Sequence, residues 1–390
     1  MSTLPTLPVE LWLQIFRWAT LTSATSALYT TKYRPFDVID VHGVDHEASS
    51  TKRALVLVCK RWRAWVTPLL YEDILIPKEH LPFSEDALRN REDKRGGNPT
   101  SPCTHMVRRV HLPYSSTTVT SPRPLEPVRL LALCSSVEVL VRTADPLTPI
   151  AFEFDTECPP LPTLRRLDWW HHNEAARTGG INSLPHVLGE APNLEYLSVG
   201  GEMWPNFLQA PTVHLPHLTT LRMRRVNAFF VLQISKWSLP ALEHVVFDYV
   251  QSADIYWSFW ETFGPQVRTV ELGQSLKFYI RDFLSVVLSG CTQLRELNYY
   301  VHFTHVPQID HPQESLETIG LHAQSNSFFP FGGPQFRSHL AQHLEAFTKN
   351  MFPALRKVKL YGDWSAVIED AEFTQLVKPL RDRGCVIQVV

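Results

Sequence analysis

Two patterns of apolar positions divide the chain. Near its start, Leu7, Leu11, Ile15 and Trp18 recur every three or four residues, with Trp12 and Phe16 beside them. That is the spacing of a helix face. Pro8 suits the first turn, where its missing N–H costs nothing, and Glu10 sits where the helix dipole favours a carboxylate. A second cluster, ALVLVCKRWRAWVTPLLYEDILI over residues 54–76, puts Leu55, Val58, Trp62 and Trp65 or Val66 on one helical face. Pro68 then opens a short segment whose apolar side is Leu69, Leu70 and Tyr71. Short helices this apolar do not stand alone in water. They predict a small helical unit that packs on itself or on a partner.

From residue 107 the period changes. An L-x-x-L-x-L pattern, with conservative swaps, begins at Val107, Leu164, Leu194, Leu218, Leu242, Val267, Leu294, Leu316 and Leu355. A weaker copy at Val137 and Leu140 has Arg142 in its third position, and the final CVIQVV supplies one more candidate strand. From Leu164 the first positions are 30, 24, 24, 25, 27, 22 and 39 residues apart, mostly in or near the range of leucine-rich repeats. Pro162, Pro192, Pro216, Pro240, Pro265 and Pro353 precede the motif and force an extended approach to each strand. The last two apolar positions lie two apart, on one face of a short strand. Parallel strands need crossovers, usually helices, and residues 278–288, 335–349 and 371–383 supply candidates. The expected class is α/β, a helical head followed by a repeat array with a parallel sheet.

The two blocks together resemble a known family. Leu7-Pro8-x-Glu10-Leu11, Ile15-Phe16, Val58-Cys59-Lys60-Arg61-Trp62 and Pro68-Leu69-Leu70-Tyr71 look like the F-box, and the repeats look like those of F-box proteins with degenerate leucine-rich repeats. The resemblance implies a small all-α hook over residues 1–76 that docks on the Skp-type adaptor of an SCF-type cullin–RING ubiquitin ligase. Carried over, Leu7, Pro8, Leu11, Ile15, Phe16, Val58, Cys59 and Trp62 form or support the adaptor-binding surface. Residues 20–51, rich in Thr, Ser, His and Asp, separate the two halves of the motif and read as an inserted surface loop. Residues 77–103 read as a linker, and 104–390 as an irregular solenoid with the parallel sheet on its concave face.

Strand alternation then names the face a partner would meet. The residues between and after the paired apolar positions are Arg166, Asp168, Trp170, Tyr196, Arg222, Arg224, His244, Asp248, Glu271, Glu296 and Tyr300, with Arg109, His111, Ser198, Thr269, Asn298, His322, Lys357, Lys359 and Tyr361 at the corresponding positions. Ten or so strands about 4.8 Å apart make a surface on the order of 45 Å long, suited to a protein or long peptide. Its basic residues come early and its acidic ones later, so a bipolar substrate contact anchored by Trp170, Tyr196 and Tyr300 is expected.

Composition narrows the rest. Lys plus Arg is 37 against 39 Asp plus Glu, a net charge of −2, without the basic excess that nucleic acid or acidic membrane requires. No apolar run approaches the length that spans a bilayer, and the start lacks a basic signal-peptide region, so an intracellular protein, cytoplasmic or nuclear, is expected. The six cysteines form no CxxC pair, and the seventeen histidines, despite pairs such as His339 and His343, complete no ligand set by spacing. No nucleophile elbow or phosphate-cradling glycine loop occurs. The reading is therefore of a non-enzymatic recognition subunit without metal or cofactor, its repeats binding a protein substrate. The alternative is a leucine-rich-repeat scaffold whose helices only cap the array.

Overall fold

The computed structural model describes residues 7–20, 30–37, 46–75, 103–112, 126–142, 157–206, 212–249, 253–273, 282–324, 334–348 and 350–390. The greater part of the expected linker, and the FFPFGG stretch before Pro334, lie outside them. Twelve strands hydrogen-bond in the order in which they occur along the chain, and helices connect many of them, a mixed α/β architecture. The chain divides into two units: Met1–Thr31 with Val38–Leu197, and Lys32–Asp37 with Ser198–Val390.

The first unit opens with three helices, α1 Val9–Thr20, α2 His46–Val58 and α3 Lys60–Tyr71. The Pro8 carbonyl accepts from the Leu11 and Trp12 amides and so starts α1. The apolar run at 54–66 is not one helix. Cys59 is extended (φ −161°, ψ 167°) and its Sγ accepts the Trp62 amide at 3.4 Å, an N-cap that ends α2 and starts α3 in a new direction. Phe16, Val66 and Leu69 are buried together, with Trp12, Leu55, Val56, Trp62 and Trp65 packed around them. Phe16 meets the Trp62 ring edge-on at 4.8 Å, and Trp12 lies 5.2 Å from Trp62. The buried Glu72 carboxylate accepts from Arg17 of α1 and Lys52 of α2, each at 3.1 Å, and pins the three helices at one point.

Glu72 also feeds the sheet. Its carbonyl accepts from the Arg108 and Arg109 amides, and β1 (Asp73–Leu75) pairs in parallel with β2 (Arg109–His111). Asp73–Leu75, which read as the end of a helical cluster, are thus a strand. β3 (Val139–Arg142) and β4 (Arg166–His171) follow in parallel register. Arg142, the residue that spoils the weak repeat copy, is buried. Its guanidinium donates to the Ile181 carbonyl (2.7 Å) and Asn182 Oδ1 (2.6 Å) and lies over the Trp169 ring, so a charge fills an apolar slot because two acceptors and an indole face receive it.

β5 (Tyr196–Gly201) holds the division between the units. The second unit continues with β6 (Thr220–Val226), β7 (His244–Phe247), β8 (Thr269–Leu272), β9 (Glu296–Tyr300), β10 (Thr318–His322), β11 (Lys357–Tyr361) and β12 (Val386–Val389), paired in parallel from β6 onward. The repeat positions stay in register. Leu221, Val245, Val270, Leu297, Ile319, Val358 and Ile387 are successive partners across the sheet, as are Met223, Phe247, Leu272, Tyr299, Leu321, Leu360 and Val389. Helices cover this apolar face. Phe247 packs on Tyr256, Phe259 and Trp260 of the helix Ala253–Phe263, and Tyr299 reaches His343 of Pro334–Thr348. Full burial of a side chain such as Phe247 is worth about 1.5–3 kcal/mol.

Candidate functional site

Two surfaces stand out. On the helical head, Leu11 and Ile15 lie four apart on α1 with Trp18 on the same side and Leu13 round the helix from them, all exposed, and Leu57 and Val58 end α2 at 84% and 58% exposure. Trp18 is 75% exposed. Leu7 and Pro8 are exposed just before the helix and Cys59 just after α2. The other side of these helices is already filled by the core around Phe16, so the outward apolar residues are surplus to the packing of the head. Two of the expected adaptor-facing residues belong inside. Phe16 is buried and Trp62 packs on it, because the Cys59 break turns α3 and carries Trp62 back against α1. They support the outer residues and do not present themselves. The sequence pattern passed over Leu13 and Leu57, which sit off the stripe chosen by spacing.

The second surface is the sheet face opposite the helices, and it is not the open, bipolar face expected from the sequence. In the first unit Arg166 and Asp168 are fully buried and bonded to each other (Nε to Oδ2, 2.9 Å). The Arg166 guanidinium stacks over the Tyr196 ring at 4.3 Å and donates to the Thr30 carbonyl at 3.0 Å. Thr31 donates to Glu195. Trp170 is half-buried. In the second unit Arg222 is held by Asp248 through two hydrogen bonds of 2.7 and 2.8 Å, and Glu296 accepts from Lys359 at 3.3 Å. Arg224 is half-buried. Arg166, Arg222 and Lys359 are each paired with an acid, so bases and acids on this face are not segregated as expected.

The expected loop at 20–51 is corrected where it is described, residues 21–29 and 38–45 lying outside the described residues. α2 already begins at His46, and Lys32–Asp37 lie on the second unit's sheet. The Tyr33 hydroxyl donates to Glu271 Oε2 (2.7 Å) and accepts from Asn298 Nδ2 (2.8 Å), while its ring stacks on His244 at 5.1 Å. The Phe36 amide donates to the same Glu271 oxygen at 2.8 Å, and Arg222 donates to the Asp37 carbonyl at 2.6 Å. The Phe36 ring sits among Tyr300, His322 and Tyr361, with centroids 4.9–5.1 Å away. Phe36 has φ 56°, a left-handed conformation costly for a bulky residue.

Sheet register builds this cradle. Arg222, Val246, Glu271, Asn298, Gly320 and Lys359 are successive partners, and so are Tyr300, His322 and Tyr361. Gly320 leaves room for Asn298: a Cβ there would stand 1.9 Å from Asn298 Oδ1, and the amide would have to move. Burial pushes the Glu271 carboxyl up to about 7, against the pull of Arg222 and the two donated hydrogen bonds. Burial likewise raises the Tyr33 phenol and lowers the His244 and His322 rings. A hydrogen-bonding, aromatic-lined slot is suited to an extended peptide with aromatic side chains. The signal for it in the sequence was Tyr33 and Phe36, two aromatics within a polar stretch.

Among the described residues no group of three or more His, Cys, Asp or Glu could hold a metal ion, and no helix is long and apolar enough to cross a membrane. No protein-family model matches the chain, and no curated protein matches it.

Proposed function

We propose that the chain is the substrate-recognition subunit of an SCF-type ubiquitin ligase, its head docking on a Skp-type adaptor and its sheet units receiving a protein substrate. The observation that carries this reading is the apolar surface of Leu11, Ile15, Trp18, Leu57 and Val58, on helices whose inner side is already packed. Large apolar side chains left outside a satisfied core mark a partner site, and the F-box-like spacing supplies the kind of partner. The ligase's catalytic subunits perform the chemistry, and this chain raises the effective concentration of substrate beside them.

The test is capture of a purified Skp-type adaptor by the full chain and by Leu11→Asp/Val58→Asp. Both residues are exposed, so the variant keeps its fold, whereas Phe16→Asp would destroy the head's core. The expected outcome is binding by wild type, weakened roughly tenfold or more in the variant. A second reading, a scaffold whose head only caps the sheet, is favoured by β1, which joins the head directly to β2. Failure of the wild type to bind any Skp-type adaptor would select it.

A further inference from the structure

We propose that the cradle of the second unit is a binding groove for an extended partner segment bearing a Tyr-x-x-Phe pair, and that Lys32–Asp37 occupies it as an internal stand-in. The inference rests on reading this sheet face as the recognition surface, and it names the class of substrate segment that face would take.

Three features carry it. The first is the kind of contact. Tyr33 and Phe36 are received by side chains from β7, β8, β9, β10 and β11, each contributing at least one: His244, Glu271, Asn298 with Tyr300, His322 and Tyr361. The phenol has both a donor and an acceptor waiting for it, and the phenyl ring has three aromatic neighbours. Such a site discriminates by side chain: a segment lacking the hydroxyl would forfeit the bond from Asn298 and the bond to Glu271, leaving them only Glu296 and the Phe36 amide.

The second is composition. A cover whose only task was to seal a sheet would be apolar on both sides. Here a buried acid, Glu271, and a partly buried Arg222–Asp248 pair lie under the segment, and polar groups taken out of water in this way cost stability relative to apolar packing. Recognition gives them a purpose. Glu271 Oε2 accepts from both the Tyr33 hydroxyl and the Phe36 backbone amide, so it fixes the register of an incoming chain as well as one side chain.

The third is strain. The internal segment reaches its second pocket only by holding Phe36 at φ 56°, with Pro35 before it. A partner segment that enters from outside need not share this conformation. Strain in the resident segment lowers what a competitor must exceed.

The experiment uses a fluorescein-labelled peptide, TTKYRPFDVI, and full-length chain in two forms: wild type and Tyr33→Ala/Phe36→Ala, in which the internal aromatics are removed. The expected result is saturable binding to the double variant, at least about tenfold weaker binding to wild type because the tethered segment competes at high effective concentration, and loss of binding for the peptide TTKARPADVI. Adding Asn298→Ala to the double variant should weaken the peptide again. A double variant that keeps the wild-type circular dichroism spectrum yet ignores the peptide overturns the proposal. So does a chain that will not fold with either the double substitution or Phe36→Ala alone, since the segment would then be a structural cover. The same samples are assayed for adaptor capture. Peptide binding without adaptor capture would sink the ligase reading and leave the groove standing, and the converse would sink the groove alone.

Discussion

At the scale of single residues, the interior of the second unit holds histidines that burial keeps neutral. Burial pushes His302 and His343 each down to about 3. His343 is placed for the neutral ring: Nε2 donates to the Thr304 carbonyl at 3.1 Å and Nδ1 accepts from the Tyr299 hydroxyl at 3.0 Å, and His302 stacks on Phe336 at 3.7 Å. In the first unit burial lowers His171 to about 4. The folded pKa lies below the unfolded value of 6.5 in each case, so the unfolded chain takes up protons first as pH falls. The stability is full above about 6.5 and is lost toward 3, at about 1.4 kcal/mol per pH unit for each ring. Glu271 runs the other way: its carboxyl, raised from 4.5 to about 7, lends stability that is full below 4.5 and lost as pH rises to 7. Three rings outweigh one carboxyl in the shared range. The urea midpoint should therefore fall between pH 7 and pH 5, and an unchanged midpoint would contradict the assignment of these rings as neutral and buried.

At the scale of elements, the head depends on Glu72, which joins α1 and α2 to the end of α3 and the start of β1. Glu72→Ala strands the buried Lys52 ammonium without its counter-charge, and removing one partner of a buried pair costs about 3–5 kcal/mol. Thermal melting should show that loss, while Glu10→Ala, on the exposed first turn of α1, should melt as wild type does. The elements were unevenly legible in the sequence. Every L-x-x-L-x-L copy lies at a strand, because a pair of apolar residues two apart needs only the period of a strand to be recognised, and the helices Pro334–Thr348 and Ala371–Asp382 fall within a residue or so of the segments expected. β1 was hidden because Leu69 to Ile76 is continuously apolar apart from an acidic pair and shows neither period. The break at Cys59 was hidden because the run around it keeps helical spacing, and only a thiol capping the Trp62 amide interrupts it. Lys32–Asp37 carry no periodicity at all. Their place is fixed by contacts to residues 185 or more positions later, which no local pattern encodes.

At the scale of the whole molecule, the parts of the second unit are held with very different security. Strands β6–β11 are flanked on both sides by paired neighbours and packed beneath by helices, whereas Lys32–Asp37 is held by side-chain contacts and by single hydrogen bonds at Phe36 and Asp37. Segments held in that way open at a lower free energy than sheet interiors. The Phe36 amide should exchange with solvent at least about tenfold faster than that of Val246 in β7, measured by hydrogen exchange on the intact chain. Equal protection would mean that the segment opens only with the unit itself.

The parallel register of the second unit has one more consequence. Because each strand places one residue in each row, the cradle is spelled one letter per strand, with consecutive letters about two dozen or more residues apart in the chain: Arg222, Val246, Glu271, Asn298, Gly320, Lys359. No fragment a few dozen residues long contains more than a letter or two of it. A mutation in one strand edits one letter and leaves the spelling of the others intact, so what this face accepts can be rewritten a strand at a time without disturbing the apolar rows on the opposite face that hold the strands together.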